Sequence, residues 1–591
     1  MADQDNNEIQ GRKKVGFILG GGLKENLNAR LELPPQAVQE GEFVVIGGES
    51  DEWLFHGLIT DIRLSALDPR YASERNSQRL PAPIAEMFYG RTLFTDLEIL
   101  PALMTEQGPP EGSDEWKQWQ ADIEAGLRDA PGPLPIKTVP PQQTDVFLAG
   151  QQDIALIFGD PDKKGHFVIG ETREQGHRVA IDLRKFVQRS SGIFGATGTG
   201  KSFLTRLLLA GLIHHGVASV LVLDMHNEYG FDDTASDTGE PVVGLKTKFP
   251  AKVRVVGLGG GSTIRGKSPD FTLEIAMSDI QPQDVELLTR ELNLKETTPT
   301  TLEALAATFG RANWFREFME MKSGAMVESD EGSPGKPGAR VPAPDSVAAW
   351  ANEHGVNVMA AEGLHSKLRR LFSKTEKDGY IRAEPASDGV GEIIKALEAG
   401  QHVVLSFGKH ETDLDYLLVS NLLTRRIRAA WEERTNAYRS SGKGEPQPLV
   451  IAVEEAHKLL NREMAVQTSF STIARELRKY YVTLLIIDQR PSQIYDEVMS
   501  QLGTRVSGWL GDDDDIRAVL SGLAGREALR GMLARLQPKE EVLLLGWGVP
   551  MPLPVRSRRY DDAFWKELLG SQVAGGRSSR SEEEIKGDLG F

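Results

Sequence analysis

The chain has 591 residues, 40% of them hydrophobic and 26% charged, enough for about two to four globular domains with complete cores. It has no cysteine, which excludes disulfide frameworks and Cys-based zinc sites, and its net charge of −17 argues against a surface that binds nucleic acid everywhere. That charge still leaves room for a protein whose positive charge is confined to one channel.

The N-terminal MADQDNNEIQGRKK lacks the apolar core of a signal peptide, and no apolar run approaches the ~18 residues of a membrane span. With the missing cysteines, this gives the expectation of a cytoplasmic protein without a membrane partner. Residues 13–130 carry short strand-like runs at 14–19, 29–33, 42–47 and 52–64, split by Gly20-Gly21-Gly22, Pro34-Pro35 and Gly47-Gly48. Short strands at regular spacing predict a small N-terminal β-barrel. Residues 131–165, rich in Pro and Gly at 131–141, read as a connector.

From 166 onward strands alternate with helices, which predicts an α/β fold built on a mostly parallel sheet. The expected sheet strands are 193–194, 219–224, 253–256, 402–407, 449–453, 482–487 and 542–545. The core is read in two parts, 166–280 and 386–560. Between them, 281–385 reads as a helical insertion with helices near 284–292, 302–309 and 364–371 and a disordered-looking stretch at 323–345. Residues 561–591 form an extension ending in an unstructured tail.

Gly195-Ala196-Thr197-Gly198-Thr199-Gly200-Lys201-Ser202 is a complete G-x-x-x-x-G-K-[ST] phosphate-binding loop. Small residues let backbone N–H groups close around phosphate oxygens, Lys201 reaches the β/γ-phosphates, and the Ser202 hydroxyl ligates Mg²⁺. Strand-like Ser191-Gly192-Ile193-Phe194 precedes the loop, and an apolar helix opening at Phe203 follows it, so Phe203 is counted with the binding segment. The strand 218–224 then completes a βαβ unit. ATP and Mg²⁺ are the implied ligands.

The strand Val450-Ile451-Ala452-Val453 ends in Glu454 and Glu455. At such a tip the first acid helps hold Mg²⁺ and the second polarises the attacking water. The competing reading is a solvated strand end. Strand 482–487 runs into Asp488-Gln489-Arg490-Pro491-Ser492, where Gln489 is the candidate γ-phosphate sensor. Upstream, Arg475 and Arg478 lie three residues apart on one predicted helix face. Either can be a finger reaching a neighbouring subunit's nucleotide, or an ordinary companion of a helix C-terminus. Asp224, at the tip of 219–224, is a further candidate for Mg²⁺ or its water network, with His226 and Tyr229 capping and packing the turn.

Taken together, GATGTGKS (195–202), DMHNEYG (224–230), VIAVEEAHKL (450–459) and IARELRKYYVTLLIIDQRPSQI (473–494) make the chain resemble the HerA family of hexameric DNA-translocating ATPases, within the HerA/FtsK group. The resemblance implies a RecA/FtsK-like motor behind a small β-barrel, assembled as a homohexamer that threads double-stranded DNA and works with a NurA-type nuclease or another effector. It assigns Lys201, Ser202, Glu454, Glu455, Gln489 and Arg478 their catalytic roles and adds Arg189 as a further basic position. Many relatives carry Asp-Glu where this chain has Glu454-Glu455.

For DNA contact, Lys246, Lys248, Lys252, Arg254, Arg265 and Lys267 fall in one stretch with no acidic residue among them. Lys246 and Lys248 are expected on a loop facing the channel, with Lys458 and Arg462 as a second candidate pair. The competing functions are a conjugation- or secretion-type coupling ATPase moving other cargo, and a nucleotide-gated scaffold for an effector nuclease.

Overall fold

The computed structural model describes residues 8–9, 12–23, 25–48, 51–66, 93–109, 112–129, 132–234, 239–260, 263–328, 340–373, 379–465, 470 and 477–575. They divide into two units, one from Met1–His215, Gln489–Ser492 and Leu502–Phe591, the other from Gly216–Asp488 and Gln493–Gln501.

In the first unit, the Leu27–Leu31 strand alternates buried Leu27, Ala29 and Leu31 with more exposed neighbours, the period of a strand with one covered face. It pairs antiparallel with Arg12–Gly20 on one side and Leu93–Glu106 on the other. The circuit continues through Trp53–Ala66, Phe43–Ile46 and Asp145–Leu148, and the last pairs back onto Arg12–Gly20. The sheet thus closes on itself around Val15, Ile18, Val44, Ile46, Ile59, Ile99 and Val146, which leaves no central edge open.

The closing strand, Asp145–Leu148, lies inside the stretch read as a connector. Four residues beside a Pro/Gly-rich segment give too little pattern to announce a strand. A helix at Asp114–Glu124, capped by Ser113, also stands where only strands were expected.

The same unit holds strands in the order Arg178–Asp182, His166–Thr172, Leu553–Ser557, Glu541–Gly546, Thr504–Ser507 and Ser191–Phe194. Only the last pair is parallel; the other pairings are antiparallel. The large sheet is parallel-rich, as expected, and these strands are its antiparallel part for a geometric reason. Turns as short as those joining 166–172 to 178–182 and 541–546 to 553–557 cannot make the crossover that a parallel pair needs. Strands Thr504–Ser507 and Leu553–Ser557 were not predicted, since Arg505 and Pro554 interrupt their apolar character.

The second unit is parallel throughout, with strands in the order Val482–Asp488, Leu449–Glu454, Ser219–Asp224, His402–Ser406, Val253–Leu258 and Phe271–Leu273. Their near-continuous burial suits a sheet covered on both faces, and it made all but the last readable. The stretch read as an insertion holds helices at Pro282–Glu286, Thr298–Phe309, Trp314–Glu320, Val347–Glu353 and Val358–Ser373. Buried Trp314, Phe315, Phe318, Leu302 and Leu305 form its core. The helix expected at 284–292 stops at Glu286. Within the stretch expected to be disordered, Met326–Glu328 and Arg340–Pro342 pair as an antiparallel ribbon, and 329–339 lie outside the described residues. So do residues 576–591 of the expected tail, after the helix Asp562–Gly575.

Asp284 fastens this insertion to the 29-residue helix Asp413–Ser441. It is fully buried, bonded at 2.8 Å to the Arg425 guanidinium and at 2.9 Å to the Asn421 amide. Burial pushes its carboxyl up, against the pull of Arg425. Removing one partner of a buried pair strands the other, and Arg425 here is partly solvated. Asp284→Ala is therefore expected to cost about 2–4 kcal/mol, read as a lower urea midpoint.

Candidate functional site

The phosphate loop of the first unit has the backbone that its glycines permit. Gly198 (φ 77°) and Gly200 (φ 88°) are left-handed, which turns successive N–H groups toward a common hollow. A Cβ on Gly195 would lie 2.6 Å from the Thr199 hydroxyl, so only glycine fits there. The loop is anchored by Ala196 N–H to the Trp509 carbonyl (3.0 Å) and by Lys539 N–H to the Thr199 carbonyl (3.2 Å). Lys201, Ser202 and Phe203 form the first turn of the helix Lys201–His215, where N–H groups have no partner within the helix. These features fit a triphosphate. Gln489, predicted as a sensor, is brought to the loop: the Thr197 hydroxyl donates to its Oε1 at 2.6 Å.

In the second unit, Glu454 ends its strand buried. Its Oε1 accepts from the Tyr229 hydroxyl (3.1 Å), its carbonyl accepts from the Tyr416 hydroxyl (2.6 Å), and its Oε2 has no partner. Burial, with Asp224 and Glu228 nearby, pushes its carboxyl well above the usual range. A buried carboxylate oxygen without a donor fits a residue that receives a cation. Asp224, the further candidate for Mg²⁺ or its water network, lies buried beside Glu454. Its two oxygens accept the N–H groups of Glu228 (2.8 Å) and Tyr229 (3.0 Å), so it ties the turn that presents Tyr229 to Glu454. His226 is exposed.

Glu455 sits at φ 47°, a left-handed conformation costly to a side-chain-bearing residue. The break matters, because consecutive strand residues face opposite sides, and here the second acid is turned off that alternation. Its Oε2 lies 3.4 Å from His457 Nδ1, which Asp488 Oδ2 holds at 3.0 Å while also accepting the His457 N–H at 2.7 Å. The bond to buried Asp488 raises the His457 pKa. The ligand atoms of Glu455, His457 and Asp488 lie within 4.8 Å of one another, close enough to share a cation. Sequence reasoning missed His457 and Asp488. The signal was the polar strand tip Asp488-Gln489, of which only Gln489 was given a role. Nothing in Gln537-Pro538-Lys539 announced the brace on the phosphate loop.

Arg478 is exposed in the short turn Leu477–Tyr480, at the start of the strand whose far end carries Asp488. About 20 Å of strand separates them, so the fold does not bring Arg478 to its own chain's acid cluster. Arg475 lies outside the described residues. Arg189 stacks on Trp547, with its guanidinium carbon 4.0 Å from the ring centroid.

Three of the six cations in the basic stretch pair with carboxylates that its sequence window did not contain. Lys246 pairs with Asp270 (2.8 Å), Lys267 with Asp232 (2.8 Å), and Arg265 with Asp233. Lys246 and Lys248 stand on the short helix Leu245–Lys248, not on the expected loop. Lys458 pairs with Asp413 (2.7 Å), and Arg462 is exposed. No helix among the described residues is long and apolar enough to cross a membrane.

Residues 167–427 match the family described as helicase HerA, central domain. Over 583 residues, 97% of this chain and 99% of the relative, the sequence is 22% identical to the DNA double-strand break repair helicase HerA of Sulfolobus acidocaldarius. The protein of the same name from Pyrococcus furiosus is 22% identical over 67% of this chain and 69% of its own length. Among solved structures, VirB4 of Thermoanaerobacter pseudethanolicus aligns with 68% of this chain and 98% of its own, at 15% identity and a TM-score of 0.41. The matched stretch contains the phosphate loop, and the chain is thus similar to the HerA helicases over that domain and has the loop of a phosphate-loop ATP hydrolase.

Proposed function

We propose that this protein is an ATP-driven motor that moves double-stranded DNA through a ring of identical copies, in DNA-end processing or defence, with a NurA-type nuclease or another effector as partner. The observation that carries the reading is the left-handed Gly198/Gly200 cradle with Gln489 bonded to Thr197, a phosphate site coupled to a polar strand tip. The names of the HerA relatives, and the full-length similarity to the one from Sulfolobus acidocaldarius, support DNA as the track.

In this reading Lys201 compensates phosphate charge, and Ser202 with Glu454 holds Mg²⁺, which would neutralise developing charge on the phosphates. Glu455, braced by His457 and Asp488, accepts a proton from the attacking water. Gln489 reports the γ-phosphate through Thr197. Arg478, held away from its own acid cluster, serves the nucleotide of the adjoining copy. DNA is gripped through phosphates, without base readout. Lys246, Lys248, Lys458 and Arg462 are the DNA-contact candidates; Lys246 and Lys458 would exchange Asp270 and Asp413 for phosphates, and Arg462 is already exposed.

The test is the ATPase rate with and without linear duplex DNA, run beside a mass measurement of the assembly. Duplex is expected to raise the rate and the mass to be that of a hexamer, with stimulation falling steeply as salt rises. A monomer whose ATPase ignores duplex would overturn the reading.

A further inference from the structure

Both anchors of the phosphate loop lead back to one residue of the β-barrel. On one side, the Thr199 carbonyl accepts the Lys539 N–H at 3.2 Å. The turn that carries Lys539 is clamped by Glu541, whose Oε2 accepts from the Gln537 N–H (2.9 Å) and from the Arg173 guanidinium (2.7 Å). The same guanidinium donates to the Glu40 carbonyl at 3.1 Å. On the other side, the Ala196 N–H donates to the Trp509 carbonyl at 3.0 Å, and the Trp509 indole N–H donates to the Ala534 carbonyl at 3.1 Å. The next residue, Arg535, forks onto the Glu40 carboxylate, with Nε 2.8 Å from Oε2.

Glu40 is fixed to the barrel by its neighbour. The Gly41 N–H donates to the Ile59 carbonyl (2.7 Å) within the Trp53–Ala66 strand. Gly41 is left-handed (φ 87°), and a Cβ there would lie 2.7 Å from Pro554 Cγ, so glycine lets this barrel loop press on the Leu553–Ser557 strand. The Arg173–Glu541 pair is largely buried, where a charge-assisted bond is strong and the loss of one partner is costly. A loop of glycines and small residues has many backbone poses, and only those with converged N–H groups suit a triphosphate. When the competent pose is one fraction of the population, apparent affinity falls by that fraction.

We propose that Glu40 is a positioning residue for the phosphate loop, through which the β-barrel sets the affinity for nucleotide. Its carboxylate acts through Arg535 and Trp509, its carbonyl through Arg173 and Glu541. The inference rests on the loop as the nucleotide site and is independent of the ring and of DNA.

The experiment measures equilibrium binding of a non-hydrolysable ATP analogue, steady-state kcat and thermal unfolding on the full chain. Glu40→Ala is expected to raise Kd about threefold and Glu541→Ala about tenfold. At saturating ATP, kcat should stay within about twofold of wild type, because bound phosphates restore the pose of the loop. Trp509→Phe keeps the ring and loses the indole N–H; lying on the same route as the Glu40 carboxylate, it should add nothing to Glu40→Ala. Glu541→Ala should still add to Glu40→Ala, since alanine keeps the carbonyl that Arg173 uses. Where Glu541→Ala does not fold, Glu541→Gln carries the same test with a smaller rise in Kd, for it keeps an acceptor for Gln537 and loses the charge facing Arg173. A lower melting temperature with unchanged Kd would make these residues merely structural and overturn the proposal. So would a kcat that falls as far as Kd rises, or a Trp509→Phe effect that adds in full to Glu40→Ala. Failure of the underlying site is separate: wild-type protein would then bind no nucleotide at all.

Discussion

Lys201→Ala is expected to abolish measurable ATP turnover, a loss of at least about 10²–10³-fold in kcat/KM. Lys201 opens the helix that follows a loop already shaped for phosphate, so the hollow persists without it while its mobile positive charge does not. Backbone N–H groups at a helix start still attract anions, and residual nucleotide binding is therefore expected to weaken more gently than turnover. The side chain is half-buried and anchors no core contact, so the melting temperature of the nucleotide-free protein should stay within a few degrees of wild type. Phosphate release assays and thermal unfolding check the two halves. Turnover at the wild-type rate would show that the loop is not the hydrolytic site.

The parts of this protein that were legible in the sequence share a physical cause. Strands covered on both faces must be apolar along their whole length, and Ser219–Asp224, Leu449–Glu454 and Val482–Asp488 stand out for that reason. The phosphate loop was readable because its chemistry is local: eight consecutive residues supply the glycines, the lysine and the hydroxyl.

What escaped was whatever depends on distant partners. Asp145–Leu148 is a strand only because Phe43–Ile46 and Arg12–Gly20 flank it. The lysine-rich stretch 246–267 looks like a phosphate surface until Asp232, Asp233 and Asp270 close on it. Asp224 looks only like a metal candidate at a strand tip, and the structure gives it a second task, accepting the amides of the next turn. A charge read along the chain has only its sequence neighbours for context; its pairing is a tertiary fact.

The positions of the arginines have the same origin. Arg189 and Arg478 each stand at the beginning of a strand, whereas the phosphate loop and the Glu454-Glu455 pair each follow the end of one. In parallel strands the C-terminal ends gather the ligand chemistry.

Glu455→Gln is expected to separate binding from hydrolysis. Glutamine keeps the size and polarity of the side chain but cannot accept a proton from water, so kcat should fall about 10²–10⁴-fold. Glu454, Ser202 and Lys201 are untouched, and ATP affinity should change less than about threefold, as read by equilibrium binding. The strained backbone at Glu455 is imposed by the strand end and by the His457–Asp488 bond that follows, so the variant should fold like wild type. His457→Ala is expected to be milder, because it removes the brace on Glu455 and leaves the base itself. A Glu455→Gln protein that turns over ATP normally would move the base elsewhere, with Asp488, buried and bonded to His457, as the next carboxylate to replace.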